Sequence, residues 1–352
     1  MTLRKIGLAV LVLIVLLLSS AIIYLGVRPT ARPIQDQTGE ELPGSVALLK
    51  ELEINGMKQW ISVRGKDRTN PILLWLHGGP GSAQMPMAHH YDQELEKHYT
   101  VVHWDQRGAG KSNHSGFSED TMRVQQYKDD TLKLINYLTE MLDQEKIYLL
   151  GHSWGTQLGI ELVSEHPQLF HGYVAVSQVV DHARAVEIAT DWLGEKMKDS
   201  GDHDRLAELD QVGNPVEYHS NYRELAQLVN SYGGSMDIEF IDLALIAFRA
   251  PEYSFVDYYK LLDGMNRGGG PLHEGGLMIQ FDYIELIPEL EVPVYFFIGR
   301  NDYNTPHKLV EEYYQIIEAP EKELVVFENS AHTPFFAESE KFNRELIKLV
   351  SE

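Results

Sequence analysis

Ile147-Tyr148-Leu149-Leu150-Gly151-His152-Ser153-Trp154-Gly155-Thr156-Gln157-Leu158 is the stretch whose reading decides the fold. Ile147 to Leu150 is a short apolar run of strand length, and a helical pattern begins at Thr156 and continues to His166. Between them stands Gly-x-Ser-x-Gly at 151–155. A strand that turns this sharply into a helix leaves no room for side chains beside the turn, so glycine at 151 and 155 permits it. Ser153 is thereby pushed up at the carboxyl edge of the sheet. The helix that starts beneath it offers backbone N–H groups and the positive end of its dipole.

Working outward, the same rhythm recurs on both sides. Short apolar strands are expected at Ile72–Leu76, Thr100–Trp104, Tyr173–Val176, Val294–Ile298 and Leu324–Phe327. Helical segments are expected at Asp120–Asp143, Pro306–Ile317 and Phe336–Leu349. That alternation predicts an α/β fold with a mostly parallel sheet covered by helices on both faces. Two further strands, Ser45–Ile54 and Lys58–Val63, flank Asn55-Gly56, a dipeptide suited to a tight hairpin, and predict an antiparallel edge. The alternation breaks between Val179 and about Glu291, where Asp, Glu, Tyr and Gly are frequent and Gly268-Gly269-Gly270-Pro271 forms a loop. This stretch reads as a largely helical cap inserted over the sheet, so the core comprises residues 45–178 and 291–352 and the cap 179–290.

A serine hydroxyl needs a neighbouring base, and the base a carboxylate that holds its tautomer. Asp302 follows the strand ending at Ile298, and His332 follows the strand ending at Phe327. Each taken alone is what a solvated loop residue looks like. Three such residues at three strand ends, in the order Ser153, Asp302, His332, read as nucleophile, orienting acid and general base. His77-Gly78-Gly79-Pro80-Gly81 follows the strand Ile72–Leu76 and has the composition of a loop whose backbone approaches a ligand. With Trp154, the residue after the nucleophile, Gly79 supplies the two N–H groups that a developing oxyanion requires. A phosphate-cradling loop is the rival reading, but Gly110-Lys111-Ser112 has Asp105 where the first glycine would stand.

The N-terminus carries Arg4 and Lys5, then an uncharged run from Ile6 to Val27, then Arg28. Roughly 20 apolar helical residues span a bilayer core, so residues 1–28 are expected to form a transmembrane anchor held in the lipid bilayer through residues 6–27. Residues 29–44, with Pro29, Pro33 and Pro43, are expected to be a linker. The basic residues predict a single-pass cell-membrane protein with a cytoplasmic N-terminus and its body outside; cleavage near Ser19-Ser20-Ala21 would instead release a secreted protein.

Composition narrows the chemistry. The 352 residues carry 52 Asp and Glu against 30 Lys and Arg, a formal net charge of -22, which argues against a nucleic-acid partner. There is no cysteine, so disulfides, thiolate metal sites and thiol nucleophiles are excluded. His89, His90, His114 and the remaining histidines show no ligand spacing, and neither a metal nor a cofactor is expected.

Three of these stretches together resemble the proline iminopeptidase family of α/β-hydrolases: His77-Gly78-Gly79-Pro80-Gly81, Asp105-Gln106-Arg107-Gly108-Ala109-Gly110-Lys111-Ser112, and the Gly-x-Ser-Trp-Gly turn at 151–155. The resemblance runs through residues 45–178 and 290–352. It implies the α/β-hydrolase fold and an aminopeptidase that releases N-terminal residues, often proline, from small peptides through an acyl-enzyme. It also implies that Asp105 and Arg107, with His77, Gly78, Gly151 and Gly155, are structural support, and that acidic cap residues hold the substrate's free amine. Glu187, Asp191, Glu239 and Glu252 are the candidates, each of which also fits a solvated helix face. The same machinery would serve an esterase, amidase or lactonase acting on another small acyl substrate. A ligand receptor on a hydrolase fold is the reading from another class. An epoxide hydrolase or dehalogenase is disfavoured, because those use an aspartate where this chain has Ser153.

Overall fold

A computed structural model of the chain describes residues 3–26, 29–114, 116, 118–212, 219–267 and 281–351. The loop expected at Gly268-Gly269-Gly270-Pro271 lies outside the described residues.

Eight strands form one sheet: β1 (Val46–Ile54), β2 (Met57–Gly65), β3 (Ile72–Leu76), β4 (Thr100–Asp105), β5 (Ile147–His152), β6 (Phe170–Val176), β7 (Val294–Gly299) and β8 (Lys322–Phe327). Their order is β1-β2-β4-β3-β5-β6-β7-β8. From β3 to β8 all pairings are parallel, whereas β2 runs antiparallel to both β1 and β4. Every residue of β3, β4 and β7 is buried, the pattern of strands covered on both faces. At the other edge Ile54 pairs with Met57, and Asn55 and Gly56 both take positive φ, 46° and 77°. Those angles suit the twist of a two-residue hairpin.

The helices are α1 (Leu3–Gly26), α2 (Met85–Tyr91), α3 (Val124–Leu142), α4 (Trp154–Glu165), α5 (His182–Ser200), α6 (His203–Val212), α7 (His219–Ser231), α8 (Phe240–Ala247), α9 (Phe255–Arg267), α10 (Tyr283–Leu286), α11 (His307–Ile316), α12 (Pro334–Ala337) and α13 (Ser339–Lys348). One face of the sheet is covered by α3, α4 and α11, with Leu134, Leu158 and Val310 sharing a single core with Leu74 and Phe296. The other is covered by α13, through Phe342 and Leu346. Helices α5 to α9 lie between β6 and β7 in the chain. Of these, α5, α6 and α7 enclose an apolar core of their own, including Leu193, Met197, Leu225 and Val229. Burying a side chain of that size stabilises by about 1.5–3 kcal/mol, so this unit has its own source of rigidity above the sheet.

The N-terminal expectation is corrected. Residues Leu3–Gly26 are helical, but among the described residues no helix is long and apolar enough to cross a membrane. The expected transmembrane helix, its bilayer contact and the single-pass cell-membrane location are not supported. Residues 29–44 run along the body: Ala31 and Ile34 are buried, and Thr30 N–H donates to Pro251 O at 3.0 Å.

Candidate active site

The turn from β5 into α4 is built as its residues demand. Ser153 has φ 51° and ψ −118°, a strained conformation for a residue with a side chain, and its N–H donates to Val176 O at 3.0 Å. A side chain at 155 would stand 2.1 Å from Leu76 O, and one at 151 would stand 2.5 Å from Gly155 O. Only glycine therefore lets the chain turn from β5 into α4 this close to the end of the neighbouring strand β3. The first N–H groups of α4, including that of Trp154, have no intrahelical partner by helix geometry.

Gly79, Ser153 and Trp154 line one pocket at the sheet's carboxyl edge. The remainder of its wall includes Gln157, Gln178, His182 and Tyr222, with Asn304 and Thr305 from the turn after β7. The supporting stretches knit together beneath it. His77 Nδ1–H donates to Gly78 O at 2.8 Å, while its Nε2 accepts from Gln106 N–H at 3.2 Å. Gln106 in turn donates to His77 O at 3.2 Å and accepts from Trp154 Nε1–H at 3.3 Å. Burial lowers the His77 imidazole to about 4, so the ring is a neutral spacer between the two loops. Arg107 makes a two-pronged pair with buried Asp130, at 2.9 and 3.1 Å. Asp105 accepts from Lys111 N–H at 2.8 Å and from the Tyr253 hydroxyl, tying the turn after β4 to the chain that leads into α9.

Asp302 is fully buried. Its Oδ1 accepts from the N–H groups of Asn304 and Thr305, each at 2.9 Å, and its Oδ2 from the Thr305 hydroxyl at 2.8 Å. His332 Nδ1–H donates to Oδ2 at 2.8 Å. Burial pushes the Asp302 carboxyl up, but the adjacent His332 and the Thr305 donors outweigh it and hold the group below the ordinary carboxylate value. A charged, multiply bonded carboxylate of this kind fixes the tautomer that leaves Nε2 free to accept a proton. The His332 turn is itself held: its carbonyl accepts from His152 Nε2–H at 3.0 Å and Ser177 Oγ–H at 3.1 Å. The His152 and His332 rings lie 4.9 Å apart. Burial, and then His332, lower His152 to about 3, so this neighbour stays neutral. Gly299 allows the crossing of the two turns, since a side chain there would meet Ala331 O at 1.9 Å.

The four acidic residues expected to hold an amine are not brought to this pocket. Glu187 and Asp191 are exposed on α5, and Glu239 is exposed just before α8. Glu252 is buried, with Arg64, Arg32 and Glu96 acting on it, and burial raises its carboxyl. Sequence reasoning missed Thr305, Asn304, Ser177 and the ring of His152. The Asp302-x-x-Thr305 spacing was a readable signal, because an aspartate commonly accepts from N–H groups two and three residues on. The others carried none.

Comparison with known proteins agrees with this fold. A family profile described as alpha/beta hydrolase fold matches residues 71–339. The Bacillus subtilis protein named "Probable aminopeptidase YbaC" is 34% identical over 311 residues, covering 86% of this chain and 96% of that protein. The proline iminopeptidase of Clostridium botulinum is 24% identical over 288 residues, 79% of this chain and 88% of that protein. Among solved structures, a proline iminopeptidase-related protein from Thermus thermophilus aligns with a TM-score of 0.62 at 19% identity, over 87% of this chain and 98% of that one. That last likeness is one of fold. With a family profile across most of its length and a relative matched nearly end to end, this chain belongs to the α/β-hydrolases, among their proline iminopeptidase-like members.

Proposed function

We propose that the protein is a serine hydrolase that acts as an aminopeptidase on small peptides. The observation that carries this reading is the buried Asp302–His332 pair at 2.8 Å, on the sheet edge that also bears Ser153. Ser153 attacks the substrate carbonyl while His332 Nε2 takes its proton. The N–H groups of Gly79 and Trp154 receive the oxyanion, a contribution of about 3–4 kcal/mol per donor in comparable sites. His332 then protonates the leaving amine and activates the water that releases the acyl group. Asp105 and Arg107 serve as supports, since their partners are buried protein groups rather than the pocket.

A second reading, an esterase or amidase acting on an acyl compound without a free amine, is favoured by one observation. None of Glu187, Asp191, Glu239 and Glu252 lines the pocket, whose described polar groups include the amides of Gln157, Gln178 and Asn304. Hydrolysis of prolyl and other aminoacyl arylamides, each with a free and an acetylated N-terminus, separates the two. Wild type and Ser153→Ala are compared. Cleavage restricted to free amines and abolished in the variant is expected; indifference to acetylation sinks the aminopeptidase reading and leaves the esterase or amidase.

A further inference from the structure

Between α7 and α8 the chain runs through Gly234-Ser235-Met236-Asp237, a segment outside the Ser153 pocket that bonds to both turns of the candidate triad. On the acid side, Tyr303 N–H donates to Gly234 O at 2.9 Å, and Asn304 Nδ2–H donates to Ser235 Oγ at 2.8 Å. On the base side, His332 N–H donates to Ser235 O at 2.8 Å. There, too, Ala331 N–H and Ser330 Oγ–H donate to Asp237 Oδ2, at 2.6 and 3.1 Å. Nearby, Trp192 of α5 stacks on Tyr303 with ring centres 4.1 Å apart and planes 12° apart.

Five hydrogen bonds thus join one short segment of the insertion to two loops that follow different strands. They act on the backbone N–H of His332 and on that of the residue before it, which together fix where the imidazole begins. Two of the five bonds converge on one oxygen of Asp237. The Asp237 side chain is partly exposed, so an alanine there removes these two bonds with little loss of packing. Misplacing a reacting group by ~1 Å costs about 100-fold in rate, so bonds that hold the base turn in register with the acid turn act on the chemical step.

We propose that Gly234–Asp237 is a strut contributed by the insertion, with Asp237 as the positioning residue that seats the His332 turn against the Asp302 turn. Alignment of the base therefore depends on the insertion being docked on the core. The inference rests on the serine-hydrolase reading above. The experiment measures, on the full chain, the rate at which an alkyl fluorophosphonate modifies Ser153, together with kcat and KM on the best arylamide and the thermal midpoint. It compares wild type, Ser153→Ala, Asp237→Ala and Asp237→Asn. Asp237→Ala is expected to slow phosphonylation and kcat by about 10–100-fold with KM within about 2-fold. Asp237→Asn, whose amide oxygen still accepts from Ala331 N–H, is expected to stay within about 3-fold of wild type. Should Asp237→Ala fail to fold, Ser235→Ala removes the Asn304 bond alone and is expected to lose about 3–10-fold in both rates. Wild-type rates in the alanine variant, or an asparagine variant as slow as the alanine one, overturn the strut. A wild type no more reactive than Ser153→Ala overturns the serine-hydrolase reading and the strut with it.

Discussion

The end of β4 and the turn after β7 each bury an aspartate completely, Asp105 and Asp302, yet they drive the two carboxyls in opposite directions. Burial raises Asp105 to about 6, against the donors Tyr253 and Lys111 N–H. Its Oδ1 has no hydrogen-bond partner among the described residues, and the nearby Lys111 ammonium is paired with Asp257 at 2.8 Å. Asp302 has donors on both oxygens and an imidazole at 2.8 Å, and it lies below the ordinary value. Equal burial therefore does not set the charge; the number of donors and the partner's charge do. The turn after β7 holds its carboxylate below the ordinary value beside the His332 imidazole, while the end of β4 uses its carboxyl to tie the core to the insertion through Tyr253.

The same substitution made at both aspartates tests that division most severely. Asp302→Asn should cut kcat on an aminoacyl arylamide by about 10³–10⁴-fold through loss of the working tautomer, whereas Asp105→Asn should stay within about 10-fold. Equal losses, with both variants folded by circular dichroism, would erase the distinction. The next effect is on stability. A carboxyl raised from 3.8 to about 6 contributes stability that is fully present below its unfolded value and is lost as pH rises through its folded one. Up to about 3 kcal/mol is at stake. Relative to wild type, Asp105→Asn should therefore gain stability between about pH 4 and pH 7, read from urea midpoints. A difference independent of pH would contradict the raised carboxyl. Asp302 has the opposite sign: its contribution is present above the ordinary carboxylate value and disappears as pH falls through its depressed one.

Smaller changes sharpen the comparison. Thr305→Val removes the hydroxyl that donates to Asp302 Oδ2 and should cost about 10-fold in kcat with little change in KM, the loss of one charge-assisted bond. Tyr253→Phe leaves Asp105 with the Lys111 N–H donor. It should lower stability by about 1 kcal/mol at pH 8, less at pH 5, and leave kcat within about 2-fold. A Tyr253→Phe variant that loses activity as Thr305→Val does would show that the end of β4 also serves the chemistry.

Much of the core could be read locally. Glycines 151 and 155 mark a turn that excludes side chains, and the expected strands Ile72–Leu76 and Ile147–Leu150 recur in β3 and β5. The insertion resisted such reading. On α5 the acidic residues Glu187, Asp191, Glu195 and Asp199 recur every fourth position, a spacing that fits a solvated stripe as well as a set of amine ligands. Acid content alone therefore did not separate Glu187, Asp191 and Glu239, which face solvent, from Glu252, which is buried away from the pocket. An apolar N-terminal run likewise reads as a span from composition, although no described helix is long and apolar enough to be one.

By itself, the sequence determined where backbone must turn and where it must be buried, because glycine sterics and the two-residue and 3.6-residue periods act within a few neighbours. That was enough to set the parallel sheet and to put Ser153, Asp302 and His332 after the strands that carry them. Only the tertiary structure decided that burial raises Asp105 while the donors around Asp302 hold it down, that none of the four candidate acidic residues lines the pocket, and that Ser235 and Asp237 clasp the turns of Asp302 and His332. These depend on hydrogen bonds between residues far apart in the chain, such as Ala331 to Asp237 and Tyr253 to Asp105, and no local pattern in the sequence records such pairings.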